Sequence, residues 1–377
     1  MDAKPHFNNI ETNKSISMRT KYLIIFTIAI ISFFSCSDKK NIVTEVSLEG
    51  QLVKIDANEG KWAKWMLGDK IYARDLDFNL FSGKLTKSEW QKADTVFVCG
   101  HGHNEFGLTT LSQDDEGALY VLNLPIEGGK LVSLTKIQHP DNIATVKDPT
   151  KWEKYDLRLL PSFLQNGETF VVMSDSTILA TGAPANDMRH VLSVINFKNQ
   201  TVTALDYWPD DGTPENMVEQ KWITYTSGSG VARNGKDKFL YWDDSGKLAF
   251  IFTIDGKKAN ILSYIYSDRL PILGIDKTPS TERIHCCVDH DRIYLLYKNS
   301  NSKGEIMEKI DMKDPFPMGN TVEVYDWDGV KQQIIHLDKY GRTIMLSKDG
   351  KTLYLYSEYM NDESAIYIFS YDLSSIK

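Results

Sequence analysis

The chain has 377 residues, 42% hydrophobic, 25% charged and 11% aromatic, with 43 Lys and Arg against 51 Asp and Glu for a formal charge of −8. That balance excludes disordered and collagen-like classes, and without a basic stripe to neutralise phosphates it argues against nucleic acid as a partner. Four cysteines are too few for a disulfide-built miniature scaffold.

Residues 1–17 are polar and patternless, and Met18, Arg19 and Lys21 then lead into the largely apolar run Tyr22 to Phe34, followed by Ser35 and Cys36. A short basic start, an apolar stretch and a small residue make the layout of a secretory signal, with translation expected to begin at Met18. A spanning helix needs about 20 apolar residues, so a bilayer span is disfavoured. Ser32-Phe33-Phe34-Ser35-Cys36 resembles a bacterial lipoprotein signal, in which the cysteine becomes the first mature residue and carries the lipid. The resemblance implies lipidation of Cys36, so residues 1–35 are expected to be an N-terminal extension and signal peptide, 36–42 a lipid-anchored tether and 43–377 the folded domain. Its implied location is the cell envelope, on the outer membrane, facing the periplasm or the exterior. Losing the leader leaves 342 residues with a charge of about −10, which repels anionic surfaces, so membrane contact is expected from the lipid alone.

Cys99, Cys286 and Cys287 remain, an odd number. Residues 283–289 read as a strand, in which adjacent cysteines point to opposite faces, so buried free thiols are expected.

From residue 43 onward, short β-branched and aromatic runs alternate with Gly, Asp, Asn and Ser clusters, and helical periodicity is almost absent. One phrase, a polar turn followed by an aliphatic-aromatic strand, recurs six times. Its strands begin at Ile71, Leu119, Ile178, Phe239, Ile293 and Leu353, in steps of 48, 59, 61, 54 and 60 residues. A four-stranded propeller blade takes about 40 to 50 residues before loop insertions, so the expected fold is an all-β, six-bladed β-propeller. A propeller must close its ring, and Val43 to Ile55 is the segment expected to lend a strand to the last blade. Residues 138–168 and 207–222 break the rhythm. Both are polar and contain Pro, and long loops of that kind are where sites are sought.

The string Gly100-His101-Gly102-His103-Asn104-Glu105-Phe106-Gly107, after the strand Val96-Phe97-Val98, is similar to the Gly-x-Gly-x-x-Glu-Phe turn of TolB-like six-bladed propeller lipoproteins. Tyr325-Asp326-Trp327-Asp328-Gly329, with the following strand ending Leu337-Asp338, looks like their last-blade phrase. The resemblance implies a propeller on a lipid anchor, and His103 stands where that family usually has Pro.

Chemistry-bearing constellations are sparse. His101, His103 and Glu105 offer zinc-type donors but lack a nameable fourth ligand, and their glycines equally suit a tight turn. His285, Cys286, Cys287, Asp289 and His290 form a second group of metal-capable atoms, yet a strand would split them between two faces. Gly228-Ser229-Gly230 lacks the nucleophile-elbow pattern, and no phosphate-binding loop or dinucleotide fingerprint is present. The pairs Asp114-Asp115, Asp210-Asp211 and Asp243-Asp244 suit turns better than calcium. Trp208, Trp222 and Tyr225, flanking the Pro-rich insertion, suggest an aromatic platform for a sugar or peptide, with packing between blades as the alternative.

The expected function is therefore non-catalytic: a lipid-anchored propeller that binds a protein, peptide or glycan at the cell envelope. Its candidate binding residues are His101, His103, Glu105, Trp208, Trp222 and Tyr225, and no cofactor or resident metal is assigned. The alternative is a metal-dependent propeller hydrolase or lyase, with His101, His103 or Glu105 near the central channel.

Overall fold

The computed structural model describes residues 43–376 apart from 57–61, 76, 86–89, 101, 103, 125–131, 161–162, 165–168, 185, 244–247, 268–284, 298–317 and 358–364. The expected leader and Cys36 lie outside the described residues. Within them no helix is long and apolar enough to cross a membrane.

Among the described residues, five sheets have four strands, one has five, and a two-stranded ribbon joins Phe163–Leu164 to Ala183–Pro184. Each large sheet is built on an antiparallel up-and-down meander that runs outward from an inner strand, and blades five and six each gain an outer strand from the N-terminal segment. The inner strands are Trp62–Leu67, Leu108–Gln113, Phe170–Val172, Gly230–Arg233, His285–Val288 and Thr343–Leu346. Each packs against the inner strands of the sheets before and after it, and the last packs against the first. That closed ring makes the chain a six-bladed β-propeller.

The recurring phrase is the second strand of every blade. Ile71-Tyr72-Ala73, Leu119-Tyr120-Val121, Ile178-Leu179-Ala180, Phe239-Leu240-Tyr241, Ile293-Tyr294-Leu295 and Leu353-Tyr354-Leu355 are buried at every position. A second strand is paired on both edges and covered on both faces by neighbouring blades. It therefore needs a continuous apolar run, where a half-exposed strand would alternate. Six apolar clusters follow, one for each adjacent pair of blades. The core is six wedges around an axis rather than a single globule.

Closure uses the segment expected for it, in two pieces. Gln51–Asp56 pairs antiparallel with Ala365–Asp372 and supplies the outermost strand of blade six. Thr44–Leu48 instead runs parallel to Lys331–Gly341 and makes a fifth strand on blade five. Gly50, between them, donates its amide to Asp338 Oδ1 at 2.9 Å. A Cβ there would lie 2.7 Å from the Tyr371 ring, so the turn needs glycine.

The two arrhythmic stretches carry helix. Residues 138–168 hold a short helix, Ile143–Val146, whose N-cap Asn142 accepts from the Ala144 amide, and the 3-10 turn Pro149–Lys151. They also contain the outer strand of blade two, Glu153–Asp156. That strand escapes sequence reading because its edge position leaves it mostly exposed and polar. The second stretch continues into the helix Val218–Thr226, which buries Lys221, Trp222, Tyr225 and Thr226.

Candidate ligand site in the central channel

The inner strands surround a cavity of about 450 Å³. Every blade contributes to its lining, which includes Lys64 of blade one, Gln113 and Asp115 of blade two, Phe170 of blade three, Arg233 of blade four, His285 of blade five and Met345 of blade six.

The phrase turns lie where the inner strands end, and side chains build them. Asp114 Oδ1 accepts from the Glu116 and Ala118 amides at 3.1 and 2.8 Å. Asn234 Oδ1 accepts from Lys236 and Lys238, Asp289 Oδ1 from Asp291 and Arg292, Ser174 Oγ from Ser176, and Ser347 Oγ from Thr352. A short polar side chain that caps its own turn explains why Asp, Asn and Ser recur at these places, and it spends the acidic groups on backbone amides.

One ion pair crosses this end of the channel. Arg233 Nη2 lies 2.5 Å from Asp115 Oδ1, joining blade four to blade two past the three-residue inner strand of blade three. The Arg233 side chain is 15% exposed and that of Asp115 70%. On blade five, His285 Nδ1 accepts from the Ile344 amide at 3.3 Å, which places the ring proton on Nε2.

The described cysteines, Cys99, Cys286 and Cys287, are free thiols as expected, but only Cys286 is buried, while Cys99 and Cys287 are partly exposed. Cys286 packs in the wedge between blades four and five and Cys287 in the wedge between five and six, on opposite faces of one strand. Burial pushes both thiols well above their ordinary range, which leaves them protonated and poor nucleophiles. Among the described residues no group of three His, Cys, Asp or Glu side chains is placed to hold a metal ion.

Of the residues weighed for metal chemistry, His285, Cys286, Cys287, Asp289, His290 and Asp115 line the channel, whereas the described candidate binding residues, Glu105, Trp208, Trp222 and Tyr225, do not. His101 and His103 lie outside the described residues. Glu105 is exposed and folds back over its own turn, where Oε2 accepts from the Gly102 amide at 2.7 Å. A Cβ on Gly100 would lie 2.0 Å from that same oxygen, and one on Gly102 would lie 2.8 Å from Glu105 Cδ. The two glycines clear the space into which Glu105 folds. Phe106 then anchors the turn in the wedge between blades one and two, 4.5 Å from the Phe97 ring.

Trp222 and Tyr225 are 3% and 1% exposed, which takes both ring faces out of reach of a surface ligand. The insertion folds inward because its helix packs on blades three and four, so these aromatics follow the packing alternative. Trp208 alone keeps partial exposure, on a second cavity of about 210 Å³. Its neighbour is a buried ion pair: Lys221 Nζ lies 2.7 Å from Asp211 Oδ1, with side-chain exposures of 6% and 0%, and 4.8 Å from the Trp208 ring centroid. The Tyr225 hydroxyl donates to Asp211 Oδ2 at 3.0 Å, and Lys221 also donates to the Pro209 carbonyl. Desolvation alone would raise the Asp211 carboxyl, but the bonds from Lys221, Thr213 and Tyr225 outweigh it and hold it below its ordinary value.

Arg233 carries no motif in the sequence, and Asp115 appears there only in the Asp114-Asp115 pair that reads as turn chemistry. The repeat phase carries the missing signal, because residues flanking each phrase turn come to the channel mouth whatever their chemistry.

Neither a protein-family model nor a curated protein matches this sequence. Solved structures do. A DUF4221 family member from Bacteroides vulgatus superposes with a TM-score of 0.54 at 11% identity, over 89% of this chain and 99% of that one. A gluconolactonase from Xanthomonas campestris gives 0.46 at 11% identity, over 84% of this chain and 89% of that one. Raptor from Chaetomium thermophilum gives 0.42 at 11% identity, over 80% of this chain and 22% of that one. At such identities the likeness concerns the fold, and the first neighbour shares it end to end.

Proposed function

We propose that this protein is a lipid-anchored, non-catalytic propeller of the TolB-like kind, held at the cell envelope through Cys36, that binds a protein segment, peptide or glycan in its central channel. The observation that carries this reading is the channel itself: a cavity of about 450 Å³ lined by all six blades, with an ion pair across one end. Cavities of roughly 300–1,000 Å³ that mix apolar walls with a few polar groups are the usual form of a ligand site. The turn carboxylates of Asp114 and Asp289 are spent on backbone amides, which suits binding better than proton transfer. The signal-like residues 18–36 and the acidic body support attachment by lipid alone.

Two measurements test the reading. Cys36→Ser is expected to move the protein from the membrane to the soluble fraction and to abolish labelling by a fatty-acid precursor; full membrane retention would refute the anchor. Hydrogen exchange with pools of short peptides and oligosaccharides is expected to protect the inner-strand ends around Arg233 and Asp289. Turnover of such a ligand that is lost on chelation would instead establish the metal-dependent hydrolase or lyase.

A further inference from the structure

Of the groups at the channel mouth, Arg233 has donors to spare. A guanidinium offers five N–H donors in a planar fork. Among the described residues Arg233 uses one of them, Nη2 to Asp115 Oδ1. Asp115 in turn makes no other hydrogen bond among those residues, and its side chain is 70% exposed. The other mouth carboxylate is different. Asp289 is held by the Asp291 and Arg292 amides at 2.8 and 2.7 Å and by the Tyr294 hydroxyl at 3.2 Å.

The mouth therefore combines a largely enclosed, fork-shaped cation with a carboxylate free to swing into solvent. An enclosed charge without a partner is costly, so Arg233 requires an anion at all times, and exchanging one carboxylate for another preserves that balance. The fork matches a planar carboxylate in two-point contact, which a single Asp115 oxygen does not fill. Phe170, Trp242 and Met345 line the same cavity and offer apolar walls to the body of such a ligand.

The geometry points to a carboxylate site: the channel takes the carboxylate of an organic acid or of a peptide C-terminus on Arg233, in place of the Asp115 side chain. This rests on the reading of the channel as the ligand site and specifies its chemistry.

Titration calorimetry and hydrogen exchange on the purified full chain test it with four probes: N-acetyl-Ala-Phe with a free C-terminus, its C-terminal amide, phenylpropionate, and inorganic phosphate. At least one free acid is expected to bind at the channel mouth, tenfold or more tighter than the amide, and Arg233→Gln is expected to weaken it by at least about tenfold. Arg233→Lys, which keeps the charge and loses the fork, should fall between. Asp115→Asn removes the competing carboxylate and is expected to tighten binding by about two- to fivefold. Tighter binding of the peptide acid than of phenylpropionate assigns a chain terminus as the source, and the reverse a free organic acid. Equal affinity for acid and amide, indifference to Arg233→Gln in a variant with unchanged melting, or preference for phosphate overturns the carboxylate site while leaving the channel reading in place. No protection of the inner strands by any probe, or by the peptide and oligosaccharide pools, overturns both.

Discussion

Asp338, on the fourth strand of blade five, accepts a hydrogen bond from the Tyr371 hydroxyl of blade six at 3.1 Å, and the same carboxylate oxygen takes the Gly50 amide at 2.9 Å. One side chain thus holds together the fourth strand of blade five, the turn between the two N-terminal strands and the last strand of the chain. Its carboxyl is lifted by desolvation but pulled lower still by Lys339, Gly50 and Tyr371, for a net depression. Asp338→Ala is expected to cost about 1–3 kcal/mol, from the lost charged hydrogen bonds. Chemical denaturation measures the cost, and faster exchange of the Leu52 and Val53 amides would locate it at the closure. An unchanged midpoint would show that strand pairing alone closes the ring.

Asp211 and Lys221 make the second prediction. Their pair is enclosed, so Lys221→Met leaves a buried carboxylate without its cation, at an expected cost of about 3–5 kcal/mol. Asp211→Asn in the same chain should recover part of that loss, and the denaturation midpoints of the four-member cycle measure the coupling. Additive costs would mean that the two charges act independently.

The pH dependence follows from the same depressed carboxyls. Asp211 and Asp338 titrate lower in the folded chain than in the unfolded one. Their contribution is therefore complete above the unfolded value, near pH 4, and is lost as pH falls through the folded values. Thermal melts between pH 7 and 3 should show a falling melting temperature in the acid range. Removing both carboxylates should flatten that fall.

The turn at residues 100–107 gives a cycle of another kind. Gly100→Ala places a Cβ against Glu105 Oε2, the far end of a flexible exposed side chain, and is expected to destabilise the chain by about 0.5–1 kcal/mol, the worth of the Glu105–Gly102 hydrogen bond it displaces. In a Glu105→Ala background the same change should cost much less, because the obstructing carboxylate is gone. Equal costs in both backgrounds would mean that the backbone, rather than Glu105, demands glycine.

The thiols supply a last test. Cys286 is enclosed and protonated, so a water-soluble disulfide reagent should leave it unreacted in the native chain and label it only on unfolding. Prompt native labelling would mean that the wedge between blades four and five opens readily.

The blade number was legible in the sequence because the second strand of each blade is buried on both faces. That environment forces an uninterrupted apolar run after each polar turn, as in Arg292-Ile293-Tyr294-Leu295. The closing segment was legible too, since a propeller needs a strand from elsewhere in the chain for its last blade. Outer strands were not: Glu153–Asp156 is mostly exposed and exists through its pairing with Ser133–Lys136. Nor was the direction of the aromatics in the insertion. Trp222 and Tyr225 lie on a helix that turns them inward, and a sequence written beside Asp and Pro does not distinguish a ring facing solvent from one packed on Phe250 and its neighbours.

The pairing of Arg233 with Asp115 was settled only in three dimensions. The residues are 118 positions apart in the chain, on blades that are not adjacent, and they meet across one end of the channel. Sequence alone determined the repeat, since burial writes itself into local composition. The tertiary structure decided which side chains share the axis, because closing the ring brings together residues that no local pattern connects.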